Sequence, residues 1–421
     1  MVKWKIVTTR RRLKVGDDRG LILPLALLVT VILGILAAAI LSIGGSEAQI
    51  ASNHLRAIQA DFLAEAGLEH AFNWLLADTG RMTNPTPISG QLATGNYNVL
   101  YQAAGTNTVR VVSTGTTIGG AQQIRRAIMS TFFHSDNAIR TNGPLTIQGS
   151  TEVEGTTELN GQCGSVHTNS NLELDGSKVT ITGSATANGA YTVTGSPSVG
   201  PGSGGAKPKE TIPAINPTDF LNTATATLSA DHLFQMKANG QVLDGSGGQI
   251  ADLADPDFGD TYCGWKYTAG PSAEWEVRSG SGTPCNGTFY FEGNATVTSS
   301  PGSTSTPWKT TIIATGDVIV SGNPTIGADA AYTVQDTLFV AGRDAKISGT
   351  PSNAYNGLIA AHEQFAISGT PTINGFIIGE DKSAISSTVT SNTVSGNPTI
   401  NYNCGLNPPL QSPLQILSWG L

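Results

Sequence analysis

Four cysteines, six histidines and a few clustered carboxylates are the groups whose types could support chemistry in this 421-residue chain. The cysteines at 163, 263, 285 and 404 lack the Cys-x-x-Cys spacing that a zinc site needs. Cys263 and Cys285 bracket a Trp-containing stretch. A disulfide between them would close a loop of about 22 residues and contribute about 3 kcal/mol. Four cysteines allow three connectivities, and Cys163 and Cys404 fall near opposite ends of the strand-rich region, so their pairing stays open. The run ADLADPDFGD puts Asp252, Asp255, Asp257 and Asp260 in one loop. Grouped carboxylates can hold Ca²⁺, but the EF-hand pattern is absent and Pro256 stiffens the middle, so a solvated turn is expected. Glu152, Glu154 and Glu158 come nearest to the carboxylates a glycosidase needs, yet a strand would put Glu152 and Glu154 on one exposed face. His54, His70, His134, His167, His232 and His362 are scattered, and no G-x-S-x-G, H-E-x-x-H or P-loop occurs. The expectation is a protein without catalytic residues, metal or cofactor.

A different reactive feature lies in the backbone near the N-terminus. After Gly20 the chain reads LILPLALLVTVILGILAAAILSIGG, with no charge until Glu47. More than 20 apolar residues at 1.5 Å rise match a hydrocarbon layer of about 30 Å. Seven basic and two acidic residues precede it, so the N-terminus should stay inside and the rest of the chain outside. An ordinary secretory signal would have a shorter apolar core, with its cleavage site after it. This junction, a basic leader ending in Gly directly before the apolar run, resembles the class III signal of type IV pilins. The resemblance implies cleavage by prepilin peptidase between Gly20 and Leu21. The following segment, NHLRAIQADFLAEAGLEHAFNWLL at residues 53–76, resembles the PilX-type N-terminal region of minor pilins. Two positions depart from the family: Leu25 stands where most major pilins carry Glu as fifth mature residue, and Leu21 where Phe is usual. In the family that Glu helps dock a subunit into a growing filament, so its absence suits a scarce or tip subunit. The resemblance also implies a helix assembly contact at Glu65; a cap, a pair with Arg56 of a neighbour, or a solvated carboxylate are the other readings.

These features need a long helix to carry them. Between Ala48 and Ala77 there is no Pro and only one Gly, Gly67, so one helix over 21–77, with 21–45 in the membrane, would run about 85 Å. Leu55, Ile58, Phe62 and Ala66 mark an apolar stripe. The runs NYNVLYQAA, TVRVVSTGTTI and QQIRRAIMSTFF read as three antiparallel strands within 78–135 that would cover this stripe. The expected fold is therefore an α+β pilin module followed by an all-β domain.

The whole chain holds 50 Gly and is only 13% charged, which suits a turn-rich all-β domain. The tag S-G-[NT]-P recurs at Gly322, Gly349, Gly369 and Gly396, with a more distant copy at Gly195. Intervals of 20 to 27 residues point to stacked parallel coils, a β-solenoid, over 136–205 and 283–404. An irregular β-sandwich is the alternative. Residues 206–282 read as an insertion projecting from one face, with a short helix near 217–224, and 405–421 as a C-terminal tail.

The net charge is −8, and without residues 1–20 it is about −13, which disfavours nucleic acid as a partner. The reading is a minor, tip-type subunit of a type IV pilus or related filament. It would be a single-pass inner-membrane protein before assembly. Its expected partners are other pilins, prepilin peptidase and a carbohydrate or surface ligand. The rivals are a membrane-anchored β-helix enzyme acting on polysaccharide, and an anchored envelope protein outside any filament.

Overall fold

The computed structural model describes residues 22–77, 79–82, 85–105, 108–133, 135–155, 162–270, 273–280, 284–382, 389–402 and 404–420. One long apolar N-terminal helix precedes a large all-β region, and the chain divides into two compact units. The first holds residues 1–104, 109–128 and 418–421; the second holds 105–108 and 129–417.

In the first unit, helix α1 (Ile22–Ala77) runs 56 residues without a break. Pro24 falls in its first turn, where a missing N–H costs little. Thr30 and Ser46 donate their hydroxyls to the carbonyls of Ala26 and Ser42, so their polarity is absorbed by the helix itself. By length and composition α1 can cross a membrane. The sheet has the order Ile88–Leu92, Gly95–Gly105, Thr108–Thr117, Gln122–Phe132, Gln411–Gly420. Its first two strands pair antiparallel. The stretch read as a C-terminal tail therefore ends in a strand of this sheet, on an edge that tolerates Pro413.

The sheet does not cover Leu55, Ile58 and Phe62, as the stripe predicted. Those three are 57%, 40% and 67% exposed. The buried face of α1 is instead Ala60, Leu63, Ala64, Leu68, Ala71 and Leu75. The cause is distance. A Cβ on Gly115 would collide with the carbonyl of Ala60, and one on Gly67 would strike the Ser113 hydroxyl. At these two points strand and helix leave no room for a further carbon, which fixes this row, with its Leu63, Leu68 and Leu75, against the sheet and turns Leu55, Ile58 and Phe62 away.

In the second unit the chain winds through three sheets in turn. Asn137–Thr141, Leu145–Gln148 and Glu152–Gly155 form one turn of the winding, and each pairs parallel with its counterpart in the next turn. These are parallel ladders, unlike the antiparallel pairing of a sandwich. The stacking order is not the chain order. From the turn at 137–155 the chain winds outward to Ser198–Val199. It then crosses back along the stack through residues 200–232 and restarts at Leu233–Met236. From there it winds inward, turn by turn, until Ile377–Gly379, Asn392–Val394 and Thr399–Tyr402 pair with the first turn at 137–155. Both runs advance in the same direction, so the ladders continue across the seam.

Residues 206–282 are accordingly not a projecting insertion. Their first part is the crossover, containing helix α2 (Pro217–Thr227), which Asn216 caps by accepting from the Thr218 N–H. Their second part supplies the end of the stack: Leu233–Met236 and Glu274–Val277 pair parallel with the next turn, and antiparallel strands follow outward. Sequence intervals reveal turns of similar length but not which turns are neighbours. At this end the core is aromatic, with Trp265 4.5 Å from Phe291 and Phe234 stacked 5.0 Å from Phe289. Toward the seam aliphatic residues such as Ile147, Val153, Ile367 and Val394 surround Phe365 and the pair Phe376 and Tyr402, whose rings lie 5.1 Å apart.

The repeated tags form one glycine column. Each of Gly349, Gly369, Gly396, Gly149 and Gly176 sits over the carbonyl of the glycine one turn away, so the column continues through the seam. Gly396 shows the constraint best: its φ is +85°, and a Cβ there would lie 2.5 Å from the Gly369 carbonyl oxygen.

Candidate functional site

Gly20 and Leu21, the expected cleavage pair, lie outside the described residues. Beyond them, every large apolar side chain reported on α1 from Leu23 to Ile43 is about half exposed or more. The bare stripe Leu55, Ile58, Phe62 extends this surface along the half of α1 that the sheet supports. Glu65 is half-buried beside it. In the same unit Arg125 donates from Nε and Nη2 to Asp61 at 2.7 and 2.6 Å. That hydrogen bond holds the Arg125 guanidinium above its ordinary value, and the charges of Asp61 and Glu65 reinforce it. Arg56 lies over the turn at Gly119.

In the second unit Cys263 is bonded to Cys285, and Cys163 to Cys404. The 163–404 bond spans 241 residues of sequence, yet it ties the second turn of the outward run to the end of the inward run, beside the seam. Opposite ends in sequence are neighbours in space because the stacking order is rearranged.

The acidic loop is a set of turns. Asp252 accepts from the Ala254 N–H and Asp255 from the Asp257 N–H. Glu152 and Glu154 lie exposed on a sheet face, and Glu158 lies outside the described residues, as does His134. His70 meets the Tyr97 hydroxyl at 2.8 Å, and His54 is exposed. His232 contacts the Ala331 carbonyl.

Pattern reading missed a column of charged residues at one corner of the winding. Asp317 and Asp344 stack there on successive turns, with Gln364 next in register and Glu363 just before it, all buried. Asp317 accepts from the Asp344 N–H, while Asp344 accepts from Gln364 N and Val389 N. Arg343 Nε sits 3.6 Å from Asp317 and 3.9 Å from Glu363. Burial, then the charge of Asp344, raises the Glu363 carboxyl above its usual value, with Arg343 opposing. A signal was present in the motifs TGD, GRD, HEQ and GED, each following a short apolar strand, but these differ in composition and offer no strict repeat.

Two further carboxylates secure the crossover. Glu210 pairs with Arg140 at 2.5 Å and accepts from Asn137. Glu380 accepts from Ile215 N at 2.8 Å and contacts His362 at 2.7 Å. His167 is enclosed by Thr186 and Asn169. These groups are consumed in holding chain segments together.

An open cleft of about 670 Å³ lies at one end of the six-stranded sheet. Its floor is a row of polar side chains from adjacent strands: Asn356, Asn374, Asn401 and Glu154, in register. Asn374 donates to Asn356 at 3.0 Å and Asn401 to Asn374 at 3.2 Å. Asp336 and Leu406 contribute to its lining. Tyr402 lines it too, but its hydroxyl points inward to the Ser135 carbonyl, and burial raises it above the ordinary phenol value.

No protein-family model matches the chain, and no curated protein does. Among solved structures, the chain is similar to the crystal structure of the competence-associated pilin ComZ from Thermus thermophilus. The identity is 14% over 86% of this chain and 97% of that one, with a TM-score of 0.28.

Proposed function

We propose that this chain is a minor subunit of a type IV pilus or a related filament, acting mechanically and adhesively rather than as an enzyme. Prepilin peptidase removes residues 1–20 by cutting between Gly20 and Leu21. Before assembly α1 anchors the subunit in the inner membrane with the remainder outside. On assembly the helix moves from lipid into a filament core among other pilin helices, exchanging one apolar surrounding for another. The stacked β-turns form a β-solenoid head, bulky enough to favour a tip or rare position, which carries a surface for a ligand.

The observation that carries this reading is the exposure pattern of α1. A plain membrane anchor needs apolar surface only where it crosses lipid. Here the bare stripe continues through Leu55, Ile58 and Phe62, well beyond the membrane-spanning length. Exposed apolar residues in a contiguous row call for a covering partner, and a neighbouring helix of the same kind supplies one. Shearing surface filaments from cells and probing them for this chain tests the proposal. The chain should co-purify with the filaments, and Phe62→Asp should leave it in the membrane fraction. Absence of the wild-type chain from sheared filaments would refute the assignment.

A further inference from the structure

We infer that the cleft over Asn356, Asn374, Asn401 and Glu154 is a binding site for a neutral oligosaccharide. The inference rests on the adhesive reading above only for its biological purpose; the chemistry stands on the cleft itself.

Three properties select the ligand. The first is the row. In-register strands repeat at about 4.8 Å, so four positions span about 14 Å, which suits a chain of sugar rings better than a single ring. The second is hydrogen-bond type. A carboxamide both donates and accepts, as does a sugar hydroxyl, and each Asn here uses only part of its capacity, on its neighbour in the row and, for Asn356, also on the Ala354 carbonyl. Asn356 and Asn374 are exposed, so the unused capacity is open to a ligand. The third is the mixture of surfaces. Leu406 gives the lining an apolar element against which the C–H face of a sugar ring can rest, beside groups that bind its hydroxyl edge.

Charge narrows the class. Glu154 and Asp336 are the charged groups of the lining, and an ionised carboxylate only accepts. They suit a ligand rich in hydroxyl donors and repel one carrying carboxylates or phosphates. Asp336 is held in place: its backbone has a φ of +50°, and its Oδ2 accepts from Asn407 N at 2.9 Å. Among the described residues lining the cleft there is no Lys or Arg, so neither nucleic acid nor an acidic polysaccharide finds a counter-charge.

The test uses the full chain in phosphocholine micelles, since a sugar-headed detergent would compete. Neutral tetrasaccharides of glucose, galactose, mannose and N-acetylglucosamine are titrated calorimetrically, with tetragalacturonate as the charged comparison. At least one neutral tetrasaccharide should bind, and tetragalacturonate should not. Asn374→Ala removes the middle of the row and should weaken binding about tenfold. Thr192→Ala, on an exposed strand at the far end of the stack, should bind as the unaltered chain does. Failure of every neutral tetrasaccharide, equal binding of tetragalacturonate, or undiminished binding by Asn374→Ala would overturn the inference. Filament entry is scored separately. Binding without entry would remove the filament reading and leave the cleft, while entry without binding would do the reverse.

Discussion

Replacing Gly396 by Ala should destabilise the second unit far more than replacing Gly202, although both glycines have nearly the same backbone conformation. Their φ values are +85° and +83°. A left-handed residue with a side chain costs about 1–2 kcal/mol on its own. At Gly202 that is the main cost, because a Cβ would find its nearest neighbour only at 4.0 Å. At Gly396 the added carbon would lie 2.5 Å from the Gly369 carbonyl oxygen and 3.0 Å from its nitrogen. Backbone cannot turn aside as a flexible side chain can. The turns must separate, which weakens the Asn397 N–H bond to Gly369, 2.8 Å long, and the Ser150 N–H bond to Gly396, also 2.8 Å. Loosening two backbone bonds adds about 2 kcal/mol. The totals are about 1–2 kcal/mol for Gly202→Ala and about 3–4 kcal/mol for Gly396→Ala. In a unit of this size, thermal unfolding followed by the strand signal in circular dichroism should shift by about 2 °C per kcal/mol. Equal shifts for the two variants would show that the glycine column is not a close-packed contact between turns.

Leu63→Ala should cost about 3 kcal/mol, whereas Phe62→Ala should leave unfolding of the first unit almost unchanged, because Leu63 is buried and Phe62 is not; urea titration separates the two. Reducing or replacing the Cys163–Cys404 bond should lower stability by about 5 kcal/mol in the chain-entropy account of a 241-residue loop. The same change at Cys263–Cys285 should cost about 3 kcal/mol for a loop of 22, measured by unfolding with and without reductant. Glu363 should add a pH dependence of a particular sign. Its carboxyl is raised in the folded state, so its contribution is complete below the unfolded value of 4.5 and is lost as pH rises through the folded value. Glu363→Gln should therefore flatten the decline in stability above about pH 4.5, and a steeper decline in the variant would contradict the burial argument.

The helix and the three strands of the first sheet were legible because each rests on local periodicity. The strands at Gly95–Gly105, Thr108–Thr117 and Gln122–Phe132 follow the runs read from alternation within a residue or two. The rotation of α1 was not legible. Two apolar rows share the same period, and the bulkier one looked like core. Only the close approach of Gly115 decides for the row that contains Ala60, Leu63 and Ala64. The tags at Gly322, Gly349, Gly369 and Gly396 do stack, but Gly149 and Gly176 join the same column without the tag. The rearranged stacking order leaves no local trace, so neither the crossover at 200–232 nor the Cys163–Cys404 bond follows from intervals. Pro408, Pro409 and Pro413 concealed the strand Gln411–Gly420. In the cleft, Glu154 was noticed as an exposed acid, but the asparagines beside it lie more than 200 residues away in sequence and meet it only through the seam.

The central claim is that α1 belongs to a processed subunit that leaves the bilayer and packs among similar helices. Intact-mass and N-terminal mass spectrometry of the chain, from cells with and without prepilin peptidase, tests it most directly. The account predicts a mature N-terminus at Leu21 when the peptidase is present and the full leader when it is absent. The same unprocessed N-terminus in both would contradict it.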